Sequence, residues 1–171
     1  MGSPPPVISH FAPEAWGYVF NTPLECGMRC AVLLAKASPA RCDIQRLVQY
    51  EYLLVHSGDI EGGPPSLHPP TPHRSGELLV RRALVERGIA FMMSKSIICR
   101  EFTKEGISYY AGESAVPFLD TLSSGYTRDM LQSAQWVIQR FGVMTDEDLS
   151  SFMRRNWTNW GSEFSLRLQG A

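Results

Sequence analysis

Apolar residues recur at intervals of three and four along the first half of the chain, which is the spacing of amphipathic helices. The first such segment follows Thr22, which Glu25 can join in a capping box, and ends at Ser38-Pro39. The second follows a cap at Asp43, and the third runs from about residue 75 to residue 94. We therefore expect three core-facing helices in this half of the chain.

The pattern then changes to the alternation of short strands. Residues 97–102 and 107–111 alternate in this way, and Lys104-Glu105-Gly106 forms the turn between them. Three helices followed by a β-hairpin is the element order of a winged helix-turn-helix. The predicted fold class is mainly α with a small β-hairpin, a winged helix-turn-helix-like domain followed by a C-terminal helical extension.

The last third of the chain returns to helical spacing. Residues 115–141 predict a long helix with a candidate break at Ser123-Ser124-Gly125. Met144 and Leu149 then flank a Thr145 cap in the manner of a hydrophobic staple, which predicts a last short helix.

These elements divide the chain into three parts. We expect an N-terminal arm over residues 1–21, a winged-helix-like domain over 22–114 and the helical extension over 115–171. Within the domain, residues 57–75 form a long loop rich in Pro and Gly, which cannot continue a helix or join a central strand. Because stiff prolines lower the cost of ordering a loop, we expect it to present His68, His73 and Arg74 to another subunit.

The net charge of the chain is small, so only a local cluster of charged residues can indicate a binding site. The 171 residues carry a net charge of -1, which gives no global field to attract nucleic acid or a membrane. Residues 74–105 nevertheless hold seven cations against four anions. One hypothesis is DNA contact through the third helix and the wing. The other is a solvated helix face with Glu77–Arg81 and Arg82–Glu86 as ion pairs four residues apart.

The sequence contains few features that indicate a catalytic site. The sequence has no phosphate loop, no GxSxG and no HExxH motif. His56, Ser57 and Asp59 are neighbours in a turn, where the geometry of a triad cannot be assumed. His68 and His73 would need two more ligands to hold a metal. We expect no catalytic residue, no cofactor and no metal, and so no enzyme.

The cysteines and the chain start bear on the compartment. None of the four cysteines lies in a CxxC pair, and we expect Cys26, Cys30, Cys42 and Cys99 to be reduced, buried thiols. The first residues lack a signal-like pattern, and no apolar run approaches the length of a membrane span. We therefore expect a cytoplasmic protein.

The C-terminal tail carries large aromatic residues. Trp157, Trp160 and Phe164 share one face if the tail is helical. They either pack against the long helix or anchor a partner protein, and the two hypotheses predict opposite exposure.

Several segments together resemble the small middle component of the ABC-three-component systems, the family that includes the small subunit of Lamassu-type antiphage defence. The central block from His56-Ser57-Gly58-Asp59 to Val80-Arg81-Arg82 is the specific part, and the likeness covers nearly all of the chain after residue 20. Tyr50-Glu51-Tyr52 departs slightly from the family, where an aspartate is expected between the tyrosines. The segments that carry the resemblance are 21–29, 43–48, 56–59, 65–69, 72–82 and 160–164.

The resemblance implies a complex with a large coiled-coil, SMC-like ABC ATPase and an effector, often a nuclease. The chain itself would be a non-catalytic adaptor, with DNA reached through the complex and no membrane contact. The alternatives are a stand-alone winged-helix DNA-binding regulator and, more remotely, a small hydrolase using His56 and Ser57. The candidate partner- or DNA-binding residues are Asp59, His68, His73, Arg74, Arg81, Arg82, Arg87, Trp157, Trp160 and Phe164.

Overall fold

The computed structural model describes residues 22–69 and 77–156, with the side chains of 77–80 left aside. Most of this part is helical, and one antiparallel hairpin follows the first three helices, which confirms the predicted class and order. The elements are α1 (Pro23–Ala37), α2 (Ile44–Val55), a short 3-10 turn (Ser57–Asp59), α3 (Glu77–Met93), β1 (Ile98–Thr103), β2 (Gly106–Ala111), α4 (Ala115–Asp120), α5 (Gly125–Phe141) and α6, described over residues 146–156.

Side-chain caps start four of the described helices, namely α1, α2, α5 and α6. Thr22 accepts a hydrogen bond from the amide of Glu25 at 3.3 Å, and the Glu25 carboxylate accepts one from the Thr22 amide at 3.0 Å, which completes the capping box. Asp43, Ser124 and Thr145 each accept from the amide three residues on, at 2.7, 3.1 and 3.1 Å. The Ser124 cap confirms the break in the long helix, and the Thr145 cap opens α6.

Helices α1 and α3 approach each other at a pair of glycines. A Cβ on Gly88 would lie 2.5 Å from the Gly27 nitrogen and 2.6 Å from the Pro23 oxygen. The absence of a side chain at Gly88 therefore allows the two backbones to touch. On α1, Leu24 is 48% exposed while Arg29 is buried.

One apolar core joins the two halves of the chain. Its buried residues come from all the longer helices, including Leu33 of α1, Leu54 of α2, Val85 of α3, Val137 of α5 and Leu149. The C-terminal helices thus pack on the same core as the first three, and this core holds the surrounding side chains in position.

The hairpin is fixed to the helical body at two places. Cys42 and Tyr109 exchange backbone hydrogen bonds of 3.0 and 2.7 Å, which adds a one-residue bridge beside β2. Arg41 forms an ion pair with Glu101 and lies 4.5 Å from the ring centroid of Tyr110. The position of the hairpin is therefore set by the segment between α1 and α2.

The cysteines are free thiols. Cys26, Cys30 and Cys42 are buried, as predicted, and Cys99 is partly exposed. Burial raises the pKa of the Cys42 thiol to about 11. No helix in the described part of the chain is long and apolar enough to cross a bilayer.

The glycine contact generates a first prediction. Gly88→Ala should lower the free energy of unfolding by about 1–3 kcal/mol, because the added methyl meets backbone atoms rather than a side chain that can move. Urea unfolding followed by circular dichroism measures this. Gly125→Ala is the matched control, since its Cβ would meet nothing nearer than an Arg128 nitrogen at 3.9 Å. Equal stability of the two variants would contradict the prediction.

Candidate functional site

Three charged side chains meet in the interior where α1, α2 and α3 pack together. Arg29 Nε donates a hydrogen bond to one Glu51 oxygen at 2.7 Å, and Arg81 Nη1 donates to the other. The side chains of Arg29, Glu51 and Arg81 are 2%, 0% and 5% exposed. Each carboxylate oxygen therefore has a charged donor, which is how a buried carboxylate is tolerated.

The groups of this network are charged at neutral pH. Burial on its own raises the pKa of the Glu51 carboxyl, but the charges of Arg81 and Arg29 outweigh it and hold this pKa at about 2. Burial likewise opposes the charge on Arg29, yet Glu51 keeps the pKa of this guanidinium above its ordinary value. A carboxylate that stays ionised at neutral pH and has no solvent exposure is a poor proton acceptor for a substrate, so the arrangement suits structure better than acid–base chemistry.

Aromatic side chains enclose the arginines. The guanidinium of Arg81 lies 5.3 Å from the ring centroid of Tyr52, and the Tyr52 ring lies 4.7 Å from that of His56. The Tyr126 side chain is a further neighbour of Arg29. Tyr126 is 39% exposed, so its ring reaches from the network to the protein surface.

His68, a residue of the loop, contacts Tyr126 next to the network. Its Nε2 lies 3.2 Å from the Tyr126 hydroxyl, and the two rings stack with centroids 6.3 Å apart. Burial, and next to it the charge of Arg29, lowers the pKa of His68 from 6.5 to about 4. The imidazole is therefore neutral at physiological pH.

The turn after α2 folds the loop back over the helix. The Ser57 hydroxyl donates to the Pro65 carbonyl at 3.4 Å, and the Gly58 amide donates to the Ser66 hydroxyl at 3.1 Å. The Leu67 amide then donates to the carbonyl of Val55 at 3.0 Å, which places the next residue of the loop over the network. A buried Ser57 hydroxyl that donates to a backbone carbonyl is not placed as an activated nucleophile, which argues against the hydrolase hypothesis.

Two predicted contact residues differ from expectation. Arg81 is buried and bound to Glu51, so the expectation of an Arg81 side chain on a solvated helix face is wrong. His68 is 8% exposed, so the expectation that the loop presents it to a partner is also wrong. In both cases a polar partner distant in sequence makes burial possible.

Other candidates lie at the surface. Arg82 forms the predicted pair with Glu86, at 3.1 Å, and also donates to Gln45 at 3.3 Å. Asp59 and Arg87 are exposed. The role of these residues in binding stays a prediction.

The remaining candidates fall outside the described residues. These are His73, Arg74, Trp157, Trp160 and Phe164, and the proposed Glu77–Arg81 pair involves a side chain that is not described. Within the described part, no three His, Cys, Asp or Glu side chains group in a way that could hold a metal ion.

The basic stretch is weaker at the surface than its sequence suggests. Arg81 is paired with Glu51 in the interior, and Arg82 is paired with Glu86 at the surface. Four exposed cations of the stretch are Arg87, Lys95, Arg100 and Lys104.

The sequence alone does not identify Arg29, Glu51 and Tyr126 as parts of a site. Glu51 lies on the apolar stripe of its helix between Leu47 and Leu54, and a charge at a core-facing position was the available signal. Nothing local indicates which cations it meets, because its partners lie 22 and 30 residues away.

An open groove of about 590 Å³ lies between the start of α2, α3 and the hairpin turn. Ile44, Ile107 and Tyr109 contribute its apolar lining. Its charged lining includes Arg46, which donates to Asp146 at 2.5 Å. It is a surface concavity whose charges are largely paired with each other.

The described part of the chain thus contains a buried ion network beneath a folded-back loop, and a hairpin whose position is fixed by Arg41 and Cys42. The family model for the ABC-three component (ABC-3C) system Middle Component 2 matches residues 19–163, which include every residue of the network. The chain therefore belongs to this family and is a middle component of such a system, as its resemblance implied. No curated protein and no solved structure is significantly similar to it.

Removing the central carboxylate should be costly. Glu51→Gln should lower the free energy of unfolding by about 3–5 kcal/mol, because it leaves two buried guanidinium groups without an anion. Urea unfolding measures the loss. Glu86→Gln, which breaks the exposed pair with Arg82, is the control and should change stability by only about 0–1 kcal/mol. A Glu51→Gln protein as stable as the control would show that the network contributes little.

The lowered pKa of His68 predicts a pH dependence. Above its ordinary value of 6.5 the imidazole is neutral whether the chain is folded or not. As the pH falls below 6.5 toward about 4, the unfolded chain gains a proton that the folded chain resists, so stability declines. The contribution of Glu51 is present above 4.5 and is lost only as the pH falls toward about 2.

The measurement is the urea midpoint as a function of pH. His68→Gln keeps a polar group toward Tyr126 but cannot titrate, so its midpoint should decline less than that of the wild type between pH 6.5 and about 4.5. The two proteins should lose stability in parallel at lower pH. Identical profiles throughout would contradict the assignment to His68.

Proposed function

We propose that this chain is a non-catalytic adaptor that connects a large coiled-coil, SMC-like ABC ATPase to an effector, often a nuclease, in antiviral defence. Membership of the Middle Component 2 family supports a role alongside other components of such a system. We further propose that it works in the cytoplasm, with DNA reached through the complex.

The burial of Arg29, Glu51 and Arg81 in one ion network is the observation that best supports this proposal. The block of sequence most specific to the family contributes Arg81 and His68, and both are used to hold helices and the loop together. A reactive site needs its groups open to substrate, whereas these groups are buried and bound to each other. Their chemistry therefore supports a scaffold whose surface carries the function.

The proposed contact surfaces are the loop and the C-terminal tail. Around the buried His68, the described part of the loop exposes Asp59, Glu61 and Pro65. A loop anchored beneath by hydrogen bonds loses little freedom on binding, which favours its use in an interface. Trp157 and Trp160 of the tail are the proposed aromatic anchors.

The stand-alone DNA-binding regulator is the second candidate. It is favoured by the exposed cations Arg87, Lys95, Arg100 and Lys104 on the third helix, the segment after it and the hairpin, where a winged helix contacts DNA. A regulator would bind a DNA site without the ATPase, and this distinguishes the two hypotheses.

The adaptor proposal predicts that the effector co-purifies with the tagged ATPase only when this chain is co-expressed. Affinity purification with and without the chain, followed by quantification of all three proteins, tests it. If the effector binds the ATPase equally well without this chain, or if the chain binds neither, the adaptor role is wrong.

Two variants test the proposed surfaces. Glu61→Lys with Pro65→Ser changes the exposed loop and spares the buried His68, and Trp157→Ala with Trp160→Ala changes the tail. Each should reduce recovery of one partner while the circular dichroism spectrum stays that of the wild type. Full recovery with both variants would leave the adaptor role and move the contacts elsewhere.

A further inference from the structure

The outer edge of β1 is open in the described part of the chain. The hairpin contains only β1 and β2, and Cys42 bonds to Tyr109 on the far side of β2. Tyr109 therefore directs its backbone N–H and C=O groups away from β1. Because these groups alternate in direction along a strand, Ser108 and the residues two positions away from it direct theirs toward β1. The partners of these residues on β1, such as Glu101, direct their backbone groups toward β2. The N–H and C=O groups of Arg100 and Phe102 therefore point away from β2, toward the open edge.

An exposed apolar pair lies next to this edge. Phe102 and Ile107 are cross-strand partners, so their side chains are neighbours on one face of the hairpin. Phe102 is 69% exposed and Ile107 is 40% exposed. The guanidinium of Arg100 lies 5.1 Å from the Phe102 ring centroid, which leaves a cation beside the apolar pair.

The position of the hairpin is fixed by contacts with the rest of the chain. Its other face is held by the Arg41–Glu101 ion pair and by Arg41 against Tyr110, and its far strand is bonded to Cys42. A strand that is already ordered adds a partner strand at a smaller entropic cost than a flexible loop.

Charge disfavours a second copy of this chain as the partner of this edge. Antiparallel self-pairing centred on Arg100 places two arginines opposite each other, and centring it on Glu101 places two glutamates opposite each other. Centring it on Phe102 places Arg100 opposite Lys104. Like charges directly opposite destabilise a strand pair, and such charges are a usual protection against edge-to-edge association.

The same charges favour an acidic partner. Arg41 pairs with Glu101, which leaves Arg100 on the strand and Lys104 in the turn as cations on either side of Phe102 in the sequence. Glu105 lies at the turn and lines the groove beside α2 and α3. The edge therefore offers outward backbone groups, an apolar contact and flanking positive charge.

We propose that β1 receives an extended segment of a partner subunit by strand addition, and that this segment carries an apolar residue flanked by carboxylates. The apolar residue packs on Phe102 and Ile107, and the carboxylates pair with Arg100 and Lys104. This inference rests on the proposed adaptor function, because the partner is the ATPase or the effector of the same complex.

Side-chain variants give the first test in the complete complex. Phe102→Ser with Ile107→Ser should lower recovery of one partner at least about ten-fold, the size of effect expected at the centre of an interface. Val116→Ser and Val143→Ser are matched controls, because these valines are 58% and 88% exposed outside the hairpin. They should leave recovery unchanged.

Backbone variants test strand addition itself. Arg100→Ala removes the charge and keeps the outward N–H, whereas Arg100→Pro removes both and spares the ladder with β2. Recovery should be lower with Arg100→Pro than with Arg100→Ala, while circular dichroism and the melting temperature confirm that each is folded. Equal recovery would overturn strand addition.

A photo-reactive phenylalanine analogue at position 102 identifies the occupant. The expected product is a cross-link to an acidic, apolar segment of the ATPase or effector, mapped by mass spectrometry. Cross-links to DNA, to a second copy or to residues of the same chain would overturn the proposal. If the wild type does not assemble at all, the adaptor function has failed as well. If it assembles and the hairpin variants assemble equally, only the hairpin site is wrong.

Discussion

The carboxylate of Glu51 is the point on which the arrangement of the first three helices depends. Taking three charges out of water costs several kcal/mol for each, and this cost is offset only if both arginines reach the carboxylate with good geometry. Arg29 is on α1 and Arg81 on α3, so neither helix can slide or rotate without leaving a buried charge unpaired. The contact at Gly27 and Gly88 serves the same end by letting α1 and α3 approach closely.

The network also extends beyond the three helices. Tyr126 of α5 is a neighbour of Arg29 and lies against His68, so a C-terminal helix and the loop meet at the same place. The turn at Ser57 and Gly58 shapes the loop so that His68 can lie there. Arg29, His68 and Arg81, which lie in three of the segments that resemble the family, are thereby brought together with Glu51 and Tyr126 in one structural unit.

The parts that could be predicted from sequence are those set by neighbouring residues. The Thr22–Glu25 box, the Thr145 cap and the break before α5 each depend on side chains within three positions, and all of them are confirmed. The hairpin was equally predictable, because alternation and a turn are local signals. Local spacing gives the existence and order of elements well.

The site could not be predicted in the same way. Arg81 and Arg82 are adjacent cations on one helix, and only the position of Glu51, thirty residues earlier, decides that one is buried while the other pairs with Glu86 at the surface. His68 lies in a segment whose composition is that of an exposed loop, and its burial depends on Tyr126 from another helix. Pairings of this kind depend on tertiary packing, which a single sequence does not display.

A buried ion network is not the most stabilising way to fill this volume, since apolar residues of similar size often serve at least as well. What charged groups add is a penalty for every alternative packing, because a shifted helix exposes an unpaired charge to the core. In the adaptor we propose, two large partners must be held in a fixed relation, so a single helix register is worth more than extra stability. The hairpin follows the same principle at the surface, where Arg41 and Cys42 fix its position and leave Phe102 exposed. Rigidity inside and an open strand edge outside are then two aspects of one requirement: the contact surface has to be presented in one orientation.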